Sequence, residues 1–127
     1  MTAAHQSTLI AFEVTLDCED AAKLADFWKG AIGFVEHGDP GPGTAWLTDP
    51  RRVAPHLALI EVDEPKTVKN RMHIDLAVSG DGPPEVTWAR VAAEAARLEA
   101  LGATVRHEYN GRWISMADPE GNEFDVC

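Results

Sequence analysis

The chain repeats its own pattern, and that repeat limits its fold more than any other feature. Phe12-Glu13-Val14-Thr15-Leu16 near the start is matched past the midpoint by Met72-His73-Ile74-Asp75-Leu76. Ala31-Ile32-Gly33-Phe34 is matched by Ala100-Leu101-Gly102-Ala103, and Leu47-Thr48-Asp49-Pro50 by Met116-Ala117-Asp118-Pro119. Few residues are identical, but the order of elements is the same in both halves. Each half reads strand, helix ending in glycine, strand, loop, strand, Asp-Pro, strand. A duplicated β-α-β-β-β unit is therefore expected. One helix for four strands covers only one face of a sheet, so paired units curl their other faces into a shared cup. The fold class expected is α+β, two such modules forming a cupped mixed sheet in one domain, residues 1–127. Module one spans about 8–62, a polar linker 63–70, and module two about 71–127. The competing arrangement is a ferredoxin-like sandwich, whose β-α-β-β-α-β order overlaps each half in part.

Local signals place the elements. Strands are expected at 9–17, 34–37, 44–48 and 56–62, then at 71–78, 104–109, 112–117 and 123–127. Asp17, Glu19 and Asp20 offer caps and favourable charge for a first helix. Leu24, Phe27, Trp28 and Ala31 form its apolar stripe, and Gly33 ends it. A second helix over 85–101 buries Trp88, Val91, Ala92, Ala95, Leu98 and Leu101, and Gly102 ends it. Gly38 to Gly43 and Ser79 to Pro84 are breaker-rich loops. Asn110-Gly111 signals a hairpin, and Asp118-Pro-Glu-Gly-Asn122 a turn.

The strand over 71–78 alternates strictly. Met72, Ile74, Leu76 and Val78 fall on one side, Arg71, His73 and Asp75 on the other. That polar row is either a solvated face or the floor of a site. Asp75 is placed to orient the His73 imidazole or bond a ligand, or, as the preferred reading, to pair with Arg71 or with a cation of a neighbouring strand. Trp28 reads as core, and Trp88 as core or dimer surface. Trp46 and Trp113 sit on equivalent strands, each a candidate pocket wall or a contact between modules. His5, His37, His56 and His107 show no ligand spacing.

Eleven basic residues against 21 acidic ones give a net charge of −10. Such a chain repels phosphate backbones and anionic membrane surfaces, so nucleic-acid and membrane partners are not expected. The N-terminus lacks a signal-peptide layout, and no apolar run spans a bilayer. Cys18 and Cys127 form no metal motif; they read as reduced thiols of a cytoplasmic protein, with a mutual disulfide as the alternative.

Taken together, Asp20…Phe27-Trp28…Ile32-Gly33-Phe34, His73-Ile-Asp75, Leu98-Glu-Ala-Leu-Gly-Ala-Thr104 and Asp118-Pro-Glu-Gly-Asn122 resemble the vicinal oxygen chelate superfamily, the glyoxalase/bleomycin-resistance/dioxygenase group. The likeness covers nearly the whole chain. It is similar in detail to small glyoxalase-like domain proteins. The resemblance implies a divalent metal (Ni, Mn, Zn, Fe or Mg), a small-molecule ligand and a homodimer. It places metal ligands at Glu13, His73 and Asp125, with Glu13 or Asp125 as a catalytic base, and Asp75, Arg71, Trp46 and Trp113 around the ligand. The position on the fourth strand falls near Leu59-Ile60, which cannot bind metal, and Glu61 points to the opposite face. The implied function is small-molecule binding, such as sequestration of a cationic or metal-chelated antibiotic or metabolite. One alternative is a metal-dependent lyase or isomerase on an α-oxo or vicinal-oxygen substrate. The other is a metal-free accessory or regulatory domain.

Overall fold

The computed structural model describes residues 8–127, and His5 lies outside them. Module one runs β1 (Val14–Cys18), α1 (Ala21–Ile32), β2 (Val35–Glu36), β3 (Thr44–Thr48) and β4 (Leu57–Glu61). Module two runs β5 (Asp75–Leu76), α2 (Pro84–Leu101), β6 (Thr104–Tyr109), β7 (Trp113–Ala117) and β8 (Glu123–Val126). Each module forms its own four-stranded sheet, ordered β1-β4-β3-β2 and β5-β8-β7-β6. In each, the first strand pairs parallel to the last and the remaining pairs are antiparallel. The duplicated element order thus becomes a duplicated topology. The two mixed sheets leave β1 and β5 as edges.

Both helices begin and end where their punctuating residues stand. The Asp20 side chain accepts the Lys23 backbone N–H at 3.1 Å, and Gly33 closes α1 in the left-handed region at φ 74°. Pro84 at the first turn of α2 needs no N–H donor there, and Gly102 ends it at φ 119°. Leu24, Phe27, Trp28 and Ala31 are buried as the stripe requires, as are Val91, Ala95 and Leu98. Leu101 is exposed instead, because the last turn of α2 overhangs the core; its side chain lies on Gly30 of α1. A Cβ on Gly30 would stand 3.2 Å from a Leu101 methyl carbon.

The first strand of each module is shorter than its alternating pattern. β1 starts only at Val14, whose N–H reaches the His56 carbonyl, and β5 pairs regularly only at Asp75 and Leu76. Among the described residues no strand pairing reaches Phe12 or Met72. Phe12 and Met72, expected on apolar faces, are therefore exposed. Ile74, Leu76 and Val78 pack against the core as expected.

One apolar core joins the modules. Trp28 of α1 meets Phe124 of β8 edge-to-face at 5.3 Å. Its Nε1–H donates to the buried Asp118 carboxylate at 3.1 Å. Glu120 of the same turn accepts the backbone N–H groups of Glu19 and Asp20. Arg97 of α2 donates to the Gly30 and Ala31 carbonyls at the end of α1. The Asp-Pro-Glu-Gly-Asn turn thus clamps the start of α1, and α2 clamps its end. Cys18 and Cys127 are free thiols. Burial, and then the carboxylates of Glu120, Glu61, Asp17 and Asp20, push Cys18 up to about 11. No helix among the described residues is long and apolar enough to cross a membrane.

Candidate functional site

Strand register sorts the outward side chains into rows. In module two, Asp75 lies opposite Asp125, Asp125 opposite Ser115, and Ser115 opposite His107. Directly opposed residues share a face, so this row crosses the sheet from β5 to β6. His73 lies two residues before Asp75 and points the same way. The opposite face, with Ile74, Phe124, Ile114 and Met116, turns to the core.

Parallel pairing of β5 with β8 brings three of these side chains together. His73 Nδ1 lies 2.8 Å from Asp75 Oδ1 and 3.7 Å from Asp125 Oδ2. One ligand atom from each of the three lies within 4.8 Å of the others. His73 and Asp75 are exposed and Asp125 is half-buried. An imidazole and two carboxylates are a hard-to-borderline donor set, suited to Mn, Fe, Ni, Zn or Mg. The set fits a divalent ion in donor type and proximity, since such ligands sit about 2.0–2.2 Å from their metal.

The sequence-expected residues distribute unevenly around this cluster. His73 and Asp125 belong to it. Asp75 bonds the imidazole, and Arg71 is in no ion pair among the described residues. Glu13 is exposed just ahead of β1 and is not in the cluster. The fourth-strand position requires a correction. The residue opposite Thr15 is Ala58, as Asp125 is opposite Asp75. The matching position is therefore Ala58 rather than Leu59 or Ile60, and it too lacks a donor. Glu61 faces the other way, where it accepts the Ala21 N–H at the start of α1.

Trp113 stacks on Tyr109 with ring centres 4.6 Å apart, beside His107 on the outer face of module two. Trp46 occupies the outer face of module one, near His37, which stacks on His56 at 5.6 Å. Neither Tyr109 nor His107 stood out in the sequence. A bulge in β6 puts them there: Val105 opposes Met116 but His107 opposes Ser115, so Arg106 is the extra residue. No composition signal marks such an insertion.

Two cavities open beside these faces. One of about 880 Å³ runs between the modules, from Val14 and Leu16 past Trp28 and Phe124 to Arg71 and His73. The other, about 480 Å³, lies between the 66–69 segment of the linker and the far end of the module-two sheet, over His107, Tyr109 and Ser115. Glu123 borders both. Burial raises its carboxyl, but the Asn70 N–H at 2.8 Å and the Lys66 ammonium at 3.0 Å outweigh that and hold it at about 2.

The sequence of residues 13–127 matches the family model described as a glyoxalase-like domain. No curated protein matches the chain. A possible glyoxalase from Bacillus cereus is similar in structure: TM-score 0.69, 18% identity, 94% of this chain and 98% of that one covered. A glyoxalase/bleomycin resistance protein/dioxygenase family enzyme from Burkholderia phytofirmans PsJN gives 0.66 at 18%, covering 90% and 94%. The fosfomycin resistance protein FosX from Listeria monocytogenes, a point mutant complexed with Mn(II) and 1S,2S-dihydroxypropylphosphonic acid, gives 0.65 at 18%, covering 98% and 90%. At such identities the structural likeness establishes the fold.

Proposed function

The chain belongs to the glyoxalase-like domain family, and from that premise we propose that it binds and sequesters a small oxygen-rich molecule, an antibiotic or metabolite, through a divalent cation held by His73, Asp75 and Asp125. The convergence of those three side chains on one face carries the reading. A divalent ion bound there supplies Lewis acidity toward two neighbouring oxygens of a ligand. The Asp75 carboxylate lies 2.8 Å from His73 Nδ1, which holds the imidazole beside both carboxylates of the set. Asp125 supplies a carboxylate from the half-buried side of the cluster. Trp113, stacked on Tyr109, forms an aromatic wall at the other end of the sheet.

Turnover is the second reading, a lyase or isomerase step on an α-oxo or vicinal-oxygen substrate. Its support is that Asp125 has no ion-pair partner but His73 among the described residues, which leaves a carboxylate oxygen to take a proton from a ligand. The homodimer belongs to the same proposal. Exposed Leu9, Ile10, Phe12 and Met72 lie just before the two open-edged strands, and a second copy covering them brings another Glu13 within reach of a site. Two free thiols suit the cytoplasm.

Calorimetric titration of chelator-stripped protein with Mn(II), Ni(II) and Zn(II) tests the proposal. Saturable binding of one ion per chain, lost in His73→Ala, is expected. Absence of binding by every ion, or equal binding by the variant, contradicts it.

A further inference from the structure

The far end of the module-two face has a charge opposite to the rest of the molecule. The chain carries −10 overall, yet the 480 Å³ cavity there is bordered by Lys66, Lys69, Arg106 and His107. Its two carboxylates are already engaged. Glu123 binds Lys66 and the Asn70 N–H, and Glu120 accepts the Glu19 and Asp20 N–H groups at the start of α1. Lys69 and Arg106 are in no ion pair among the described residues. Ser115 and Tyr109 add hydroxyl donors to the same cavity. The β6 bulge at Arg106 is the device that gathers them. It lets His107 oppose Ser115 and places Arg106 beside it, instead of giving one residue per register step.

We propose that this cavity is an oxyanion subsite, in which Arg106 and Lys69, with Ser115 and Tyr109, receive a phosphate-type or carboxylate group. A guanidinium fork and an ammonium are suited to such groups. The subsite deepens the reading above and rests on it only for the other end of the ligand. His107 lies two strand spacings, about 10 Å, from Asp125 along one row. The ligand class is therefore a short molecule with an anionic group at one end and neighbouring oxygens at the other. The subsite turns the expectation of a cationic ligand around, because the acidity of the chain as a whole does not extend into this cavity.

The test uses chelator-stripped protein at constant ionic strength, titrated with inorganic phosphate and separately with acetate. Calorimetry gives the affinity and NMR follows the His107 ring. Saturable binding that shifts His107 is expected, with affinity about tenfold lower in the Arg106→Ala/Lys69→Ala double variant. Both replaced side chains are exposed, and circular dichroism verifies that the variant is folded. Tighter phosphate than acetate assigns a phosphate-type ligand, and the reverse a carboxylate. His73→Ala retains anion binding while losing metal, which separates this subsite from the metal proposal. No saturable binding of either anion, or an unchanged affinity in the double variant, overturns it. An equal loss in Lys23→Ala, on the exposed side of α1, overturns it as well, since only net charge would then be acting.

Discussion

The two modules share a backbone and differ in what they mount on it. In module one the outward row reads Thr15, Ala58, Trp46 and His37. In module two the same register positions hold Asp75, Asp125, Ser115 and His107. Glu13 stands where His73 stands, but with Thr15 and Ala58 beside it in place of two carboxylates. Duplication supplied one scaffold twice, and among the described residues only one copy carries a convergent donor set. The Asp-Pro turns differ in the same way. Asp49 is bound by the Arg51 guanidinium and by following backbone N–H groups, which hold its carboxyl well below the usual range. Asp118 is in no ion pair among the described residues. Burial raises it despite bonds from Asn122, Trp28 and Glu120. The first turn folds a buried carboxylate under its own arginine and backbone N–H groups, and the second is a buried joint between modules.

The largest expected effect comes from moving the donor set. Asp125→Ala in module two should lower metal affinity by about 100-fold or more, because the loss of even an outer partner costs 10–100-fold. The converse graft, Glu13→His with Thr15→Asp and Ala58→Asp, should raise the calorimetric stoichiometry from one ion toward two. If the graft binds as tightly as module two without further change, register alone makes the site. If it binds nothing, the surroundings of Asp125 matter as much as its position.

A middle-sized effect tests the joint. Trp28→Phe keeps the ring against Phe124 but removes the only indole donor to buried Asp118. Leaving a buried acceptor short of a partner costs about 1–3 kcal/mol, readable as a lower urea midpoint. Arg51→Ala at the equivalent turn should cost less, since buried Asp49 keeps the backbone N–H groups of Arg51, Val53 and Ala54 as partners.

The smallest effect is a pH slope. The folded state holds Glu123 at about 2 against an ordinary value of 4.5. Between those values the unfolded chain binds the proton and the folded chain does not. Stability from this group is therefore complete above 4.5 and lost as pH falls toward 2. Asp118 runs the other way: its folded value is raised, so its contribution weakens as pH rises through that value. Glu123→Gln should flatten the acid limb of a stability–pH curve. An unchanged limb would show that the Lys66 and Asn70 contacts do not survive in solution.

Much of the fold was legible because its signals are local. Asp20, Gly33 and Gly102 mark helix ends by their own chemistry, and the alternation of 113–117 needs no partner to be read. What failed depends on neighbours. Phe12 and Met72 alternate correctly, but no strand pairs with them among the described residues. Ala58 is the fourth-strand match only once Thr15 is known to oppose it. The bulge at Arg106 cannot be counted from sequence, so His107 and Tyr109 stayed hidden while His73, on a regular alternation, did not.

Anomalous diffraction at the manganese edge, from crystals of the protein grown with Mn(II), tests the central claim most directly. The account predicts a peak in each chain bounded by the side chains of His73, Asp75 and Asp125. Full manganese occupancy elsewhere with nothing at that position, or a peak on module one alone beside Glu13, would contradict it.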